Sequence, residues 1–179
     1  MKKILLFSAL FVCVFVSCKK NNSSSGGSYH FTATIDGQAQ TFNVSPLAVK
    51  VTNSGASLIA IEGFSAASST TQILSVSWGN TSPNSANFTT GAYSDTATAY
   101  YIGGNYNPST TVAYVSGSGV TAAVGSSLPS GVQRLKITIT SVDSTAVKGT
   151  FSGDFFFNGD VTQGKKTITN GDFYVPWKK

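Results

Sequence analysis

Apolar and polar residues alternate along much of this 179-residue chain, and this two-residue period is the feature that most constrains its fold. Successive side chains of a β-strand point to opposite faces of the sheet, so alternation predicts strands with one buried face. The clearest segments are "YHFTATI", "SLIAIEGF", "TQILSVSW" and "QRLKITITSV". Their predicted inward residues are, in order, Tyr29, Phe31, Ala33 and Ile35, then Ile59 and Ile61, then Leu74, Val76 and Trp78, and finally Leu135, Ile137 and Ile139.

Further strands are predicted near residues 46–53, 97–103, 110–116, 145–157 and 166–177, separated by turns rich in Gly, Asn, Ser and Pro. No window has a helical repeat with capping residues. About ten strands joined by such turns predict an all-β fold, a single antiparallel β-sandwich, with a closed or partly open β-barrel as the alternative. A content of 41% apolar and 12% aromatic residues favours a packed core over a disordered chain.

The first residues, "MKKILLFSALFVCVFVSCKK", have the three parts of a secretory signal. The apolar run after Lys2 and Lys3 is shorter than the roughly 20 residues that a membrane span needs. It ends at Phe15–Val16–Ser17–Cys18, which resembles the lipobox of bacterial lipoproteins. We expect a signal peptide over residues 1–17, a lipidated Cys18 that attaches the protein to the membrane, a Ser- and Gly-rich tether over 18–28 and a β-sandwich domain over 29–179. An ordinary cleaved signal with a chance Cys and an uncleaved anchor are the alternatives.

Cysteine and charge limit the chemistry of the mature domain. Cys13 lies inside the predicted signal, so the domain has no disulfide and no thiolate. Half of the 12 basic residues lie in the signal, the tether and the last two positions, which leaves six basic against seven acidic residues. Because such a body lacks the basic surface that nucleic-acid binding requires, we expect no nucleic-acid partner.

Both ends of the predicted domain resemble a family of small Bacteroidota lipoproteins. Gly149–Ser152 is similar to the family's "GTFSF" pattern, although Gly153 replaces the second aromatic residue, and Ile168–Phe173 is similar to "ITNGxF". Near the start, "FTATIDGQAQTF" is similar to the family's opening pattern. The resemblance implies a lipid anchor and a β-rich fold and brings no catalytic residues. Surface lipoproteins of Bacteroidota often carry acidic residues after the Cys, whereas this chain has Lys19 and Lys20, which favours the periplasmic side of the outer membrane.

Three Gly-Asp pairs lie within residues 151–173 and raise the question of a cation site at Asp154, Asp160 and Asp172. A calcium site needs about six to eight converging oxygens, and neither an EF-hand spacing nor a tandem calcium repeat is present. Alternation instead places Asp154 and Asp172 outward on paired strands, with Asp160 in the loop between them. Asn158–Gly159 is predicted to start that loop, and Asn170–Gly171 to form a β-bulge. We expect no metal and no cofactor.

Tyrosines in a Gly- and Asn-rich region are the predicted ligand-binding residues, namely Tyr93, Tyr101, Tyr106 and Tyr114. Exposed aromatic rings stack on sugar faces or anchor protein partners, so a glycan site predicts a row of exposed tyrosines. The triplets Asp95–Thr96–Ala97 and Asp143–Ser144–Thr145 resemble the acceptor of O-glycosylation in Bacteroidota, with Thr96 and Ser144 as the acceptor residues.

Catalytic residue types are scarce in this chain. His30 is the single histidine, it is expected to be exposed and structurally neutral, and no GxSxG nucleophile motif occurs. The expected function is therefore a non-catalytic binding module of the cell envelope for a glycan or a protein. A lipocalin-like carrier of an apolar ligand is one alternative, and it requires a closed sheet around a cavity. A glycoside-acting enzyme is the other, because a carboxylate pair depends on separation in space.

Overall fold

The computed structural model describes residues 28–53, 56–65, 72–80, 89–96, 100–120 and 128–179. Within these ranges the protein forms eleven β-strands, and residues 118–120 are helical. No helix in the described part of the chain has the length and apolar content to cross a bilayer. The strands are β1 (His30–Ile35), β2 (Gln38–Thr41), β3 (Val44–Asn53), β4 (Ala56–Phe64), β5 (Ile73–Asn80), β6 (Gly91–Ser94), β7 (Tyr100–Ser109), β8 (Val112–Gly117), β9 (Lys136–Val142), β10 (Ala146–Phe157) and β11 (Lys165–Pro176).

All described strands belong to one antiparallel sheet with the order β2-β1-β11-β10-β8-β7-β5-β4-β3. The sheet forks at β10, because the first half of β10 pairs with β9 whereas its last two residues pair with β8. Strand β6 extends the branch beyond β9. The sheet is strongly curled into a half-barrel, and a bridge between Ala48 of β3 and Trp177 brings one edge against the end of β11.

One apolar core lies inside the curl, and the strand period accounts for most of it. The predicted inward residues of β4, β5 and β9 are all buried, as are Phe31, Ala33 and Ile35 of β1. Opposite sides of the curl meet at Phe42, whose ring lies 6.2 Å from that of Tyr106, and Phe31 lies 5.6 Å from Phe151. Burying a large apolar side chain contributes about 1.5–3 kcal/mol, so this cluster supplies most of the drive to fold. The all-β antiparallel prediction is confirmed.

Three aromatic residues are more exposed than strand alternation predicts. Tyr29 was expected to face inward, but it precedes β1, is 43% exposed and packs at 5.1 Å on Tyr174 with its ring tilted. Trp177 is half-buried and packs against the core, and Phe157, the last residue of β10, is also half-buried. Phe157 packs at 5.8 Å on Tyr114.

Backbone angles confirm the predicted turn at Asn158–Gly159 and show a second turn of the same kind after β1. Asp36 and Gly37 join β1 to β2 with φ values of 49° and 80°, and Asn158 and Gly159 start the β10–β11 loop with 49° and 77°. Two successive residues with positive φ give the turn type whose twist matches that of paired strands. The turn at Asn158–Gly159 lies in the β10–β11 hairpin, which carries part of the candidate site.

Candidate functional site

A β-bulge in β11 shapes the outer face of the sheet. Between Ile168 and Asp172, β11 contains one more residue than either neighbour, and Asn170 adopts a φ of 48°. The predicted bulge at Asn170–Gly171 is thus confirmed. A Cβ on Gly171 would lie 2.4 Å from the ring of Phe151, so only glycine lets β11 approach β10 this closely. The extra residue bends the strand, as bulges do, and leaves a depression beside it.

This depression, which we call the outer groove, has a volume of about 630 Å³ and spans β9, β10 and β11. Register places Asp172 opposite Thr150, and Thr150 opposite Thr138, so these three side chains form one row across the sheet. The single large apolar side chain among its lining residues, Phe151, is 3% exposed. The lining residues are Gln133, Lys136, Thr138, Thr150, Phe151, Ser152, Thr169, Asn170, Gly171 and Asp172.

The charged groups of the outer groove lie at its two ends. Lys136 is exposed at the start of β9, whereas Asp172 accepts a 2.8 Å hydrogen bond from Nε2 of His30. The other ring nitrogen of His30, Nδ1, lies 3.2 Å from the carbonyl oxygen of Ser28. His30 was expected to be exposed and structurally neutral, but its side chain is 32% exposed and is held by Asp172. Both of its ring nitrogens therefore contact other groups of the protein.

Asp154 was predicted to point outward, and although it does point away from the core it is completely buried. Its carboxylate accepts hydrogen bonds from Nζ of Lys165 at 2.6 Å, from Oγ1 of Thr167 at 2.7 Å and from the backbone N–H of Gln133 at 2.9 Å. It lies where β10 passes from β9 to β8, and the chain around Gln133 covers it. A Cβ on the preceding Gly153 would lie 2.7 Å from Leu135 Cα, so this close crossing depends on glycine.

The four predicted ligand tyrosines do not form an exposed row. Tyr101 is 43% exposed, but Tyr106 is 3% exposed and lies in the core, where burial raises the pKa of its hydroxyl. Tyr114 is half-buried and stacks on Tyr106 at 6.3 Å. Tyr93 is half-buried against Trp78. The row is absent because Tyr101 and Tyr106 are an odd number of positions apart on β7 and so face opposite ways.

The two predicted acceptor residues for O-glycosylation both lie in exposed turns. Thr96 follows β6, and Ser144 joins β9 to β10. Their preceding aspartates differ, because the Asp95 side chain is only 3% exposed and its burial raises the pKa of its carboxyl. The exposed Asp143 accepts hydrogen bonds from the hydroxyl and N–H of Thr145, and these lower its pKa. Only the Ser144 triplet therefore presents its acidic side chain to an external enzyme.

Cys18 lies outside the described residues. Among the residues that are described, no group of three or more His, Cys, Asp or Glu comes together in a way that could hold a metal ion.

The residues of the outer groove were not singled out by their sequence. Alternation predicted that Lys136 and Thr138 point outward, and the Gly-Asp pairs drew attention to Asp172. What brings these side chains together is the pairing of β9, β10 and β11, together with the bulge. The sequence signal that could have indicated the outer groove was a set of outward Thr and Ser residues at alternate positions in three strands near one predicted bulge.

Fold and groove together define a curled, single-sheet β-domain with a polar groove on its outer face. Comparisons with protein-family models, with curated proteins and with solved structures found no match. The resemblance to the Bacteroidota lipoproteins therefore stays a prediction.

Proposed function

We propose that this protein is a lipid-anchored binding module of the bacterial cell envelope, and that its outer groove binds a glycan without converting it. Acylation at Cys18 would hold the domain at the outer membrane, on the periplasmic side. The observation that carries the proposal is the outer groove itself, which the bulge opens and which hydroxyl, amide and charged side chains line from three adjacent strands.

The lining groups suit a ligand that is rich in hydroxyls. Threonine and serine hydroxyls both donate and accept hydrogen bonds, and so do the amides of Asn170 and Gln133. A sugar presents the same mixture of donors and acceptors along its edge. Because the outer face of the sheet is fixed by ladder hydrogen bonds, these groups are held in place before a ligand arrives, which lowers the entropic cost of binding.

The other predicted binding mode, an apolar ligand inside a barrel, has less support. The interior of the curl is filled by the side chains of the core, with Phe31, Trp78, Phe155 and Phe173 among the largest. A ligand there would have to displace packed side chains, each of which contributes to stability.

A paired substitution tests the glycan proposal. Thr138→Val removes a hydroxyl from the outer groove while keeping the shape and strand preference of the residue. Thr140→Val makes the same change two residues further along β9, outside the groove, and is the matched control. Since one hydrogen bond contributes about 0.5–1.5 kcal/mol, Thr138→Val should weaken glycan binding by roughly two- to tenfold. Thr140→Val should not.

Binding is measured by titrating the labelled protein with neutral, amino-sugar and uronic-acid oligosaccharides while following backbone amide resonances. The proposal expects the largest shifts at Thr150, Asn170 and Asp172. Shifts that cluster around Tyr101 instead would assign the glycan to another face. Equal losses of glycan affinity in the Thr138→Val and Thr140→Val proteins would show that the Thr138 hydroxyl makes no specific contact with the glycan.

A further inference from the structure

Three large apolar side chains in the described part of the chain are more than 40% exposed, and all three lie toward the same end of the half-barrel. They are Tyr29 at 43%, Val51 at 49% and Tyr101 at 43%. Isolated exposed apolar residues are common on proteins, so these three indicate a contact surface only together with the charges and the chain entry at the same end.

Strand register shows that these side chains share one end. Val51 pairs with Leu58, Leu58 with Gly79, and Gly79 with Tyr101, so Val51 and Tyr101 belong to one row across four strands. This row lies near the end of β3 and the start of β7.

On the other side of the curl, the start of β1 lies beside the end of β11, because His30 pairs with Tyr174. The parallel bridge between Ala48 and Trp177 shows that β3 and β11 run in the same direction toward this end. Tyr29 precedes His30, so the chain also joins the domain from its N-terminal side here. We call this end of the half-barrel, which carries the exposed residues Tyr29, Val51, Tyr101, Lys178 and Lys179, the tether end.

The charges at the tether end suit an anionic lipid headgroup region, because Lys148, Lys178 and Lys179 outnumber the exposed Asp143 of the β9–β10 turn. Lys178 and Lys179 are exposed directly after Trp177, and Lys148 is exposed opposite Tyr174. Trp177 donates its indole N–H to the carbonyl oxygen of Asp143 at 2.7 Å, so the polar edge of the ring is already satisfied. Tyrosine, tryptophan and lysine are the residues that concentrate at membrane interfaces, where rings meet the acyl boundary and ammonium groups meet phosphates.

The position of the predicted lipid anchor adds an independent constraint. Ten residues separate Cys18 from Tyr29, and a chain of that length spans at most about 40 Å. A lipidated Cys18 therefore keeps the tether end close to the bilayer, where even weak contacts act at a high effective concentration.

From these observations we infer that the tether end docks on anionic lipid headgroups and fixes the orientation of the domain on the membrane. This inference rests on the proposed acylation of Cys18. In the docked orientation the outer groove opens on the side of the half-barrel, along β9–β11, and remains accessible to a glycan.

The test uses the acylated full-length protein, isotopically labelled and reconstituted in nanodiscs of phosphatidylglycerol and phosphatidylcholine that contain a gadolinium-chelating lipid. Gadolinium at the headgroups broadens the amide resonances of nearby residues. Docking predicts strong broadening at Tyr29, Val51, Tyr101 and Lys178, and little at Gly159, which lies at the opposite end. Broadening that is uniform, or stronger at Gly159, would overturn the inference.

A charge variant tests the lipid contact itself. Each lysine near an anionic surface contributes about fivefold to the docking equilibrium, so Lys178→Glu with Lys179→Glu should reduce the broadening strongly. Lys136→Glu, at the far end of β9, is the charge-matched control for the single variant Lys178→Glu and should leave the broadening unchanged. The unsubstituted protein on nanodiscs of phosphatidylcholine alone should show broadening as weak as that of the double variant on anionic nanodiscs.

The outcomes separate the two proposals. Mass spectrometry that finds no acyl group on Cys18 would contradict the anchor, and with it the proposed location. An acylated protein without localised broadening would contradict only the docking. Protection of the tether end by a co-purifying protein, in place of lipid, would also overturn the docking.

Discussion

Asp154 is the residue whose replacement tests the structure most directly, because a completely buried carboxylate holds together three segments at the fork of the sheet. Its partners come from the covering chain at Gln133 and from β11 at Lys165 and Thr167. Replacing Asp154 by Asn keeps the size and one acceptor oxygen but removes the charge. Replacing it by Ala leaves all three donors without their partner.

The expected loss of stability follows from how exposed the partners of Asp154 are. Removing one member of a fully buried ion pair costs about 3–5 kcal/mol. Lys165 is 42% exposed, however, so water can replace the carboxylate at its ammonium, and that contact contributes only about 0–1 kcal/mol. The main loss is the charge-assisted bonds from Gln133 and Thr167, at about 1.5–3 kcal/mol each before relaxation. We expect Asp154→Asn to lower the free energy of unfolding by about 2 kcal/mol and Asp154→Ala by about 3–4 kcal/mol.

Urea unfolding followed by tryptophan fluorescence measures both values, and each kcal/mol should lower Tm by about 2–4 °C in a domain of this size. Asp160→Asn is the matched control, because this carboxylate lies in the loop of the same hairpin and bonds only within its own turn. It should change stability by less than about 0.5 kcal/mol. If Asp154→Asn were as stable as Asp160→Asn, the carboxylate would not be holding the fork together.

Three further predictions concern pH, packing and the anchor. Hydrogen bonds from Thr145 hold the folded-state pKa of Asp143 below its ordinary value of 3.8, so ionised Asp143 stabilises the fold above that pH and this contribution is lost as pH falls through the lower folded pKa. Asp143→Asn should therefore flatten the acid side of the stability–pH curve. Urea titrations at several pH values measure this, and an unchanged dependence of the free energy of unfolding on pH would contradict it. Gly171→Ala should destabilise the domain by about 1–3 kcal/mol through overpacking, whereas Gly164→Ala, where an added Cβ meets nothing within 4 Å, should be neutral, and equal melting temperatures would refute the packing argument. Cys18→Ser should leave the protein unprocessed and without acyl mass, and should remove it from the membrane fraction. Normal acylation in this variant would disprove the lipobox interpretation.

Local sequence patterns predicted the features that depend on a few neighbouring residues. The inward positions of β5, such as Leu74 and Val76, followed from alternation, because the strand backbone sends successive side chains to opposite faces. The bulge at Asn170–Gly171 followed from the ease with which Asn and Gly adopt positive φ. The same rules correctly set Asp172 on the outer face.

The candidate site was less predictable, because it depends on which strands are neighbours. Nothing in the alternation of β9 indicates that Thr138 lies two strands from Asp172, with Thr150 between them. The tyrosines were predicted to bind a ligand although not all of them reach the surface. Tyr106 was chosen because its neighbours are typical of binding surfaces, but its position on β7 puts it in the core.

The sequence by itself determined that this chain forms antiparallel strands, where most core-facing residues lie and where the hairpins turn, because these properties follow from backbone geometry over two to four residues. Only the tertiary structure decided what covers the outer face. Asp154 points away from the core as alternation requires, yet it is buried, because Gln133, 21 positions earlier, crosses over it. The direction in which a side chain points is a local property of its strand, whereas its burial depends on every segment that packs against that strand. The outer groove lies where no described segment covers the outer face of the sheet.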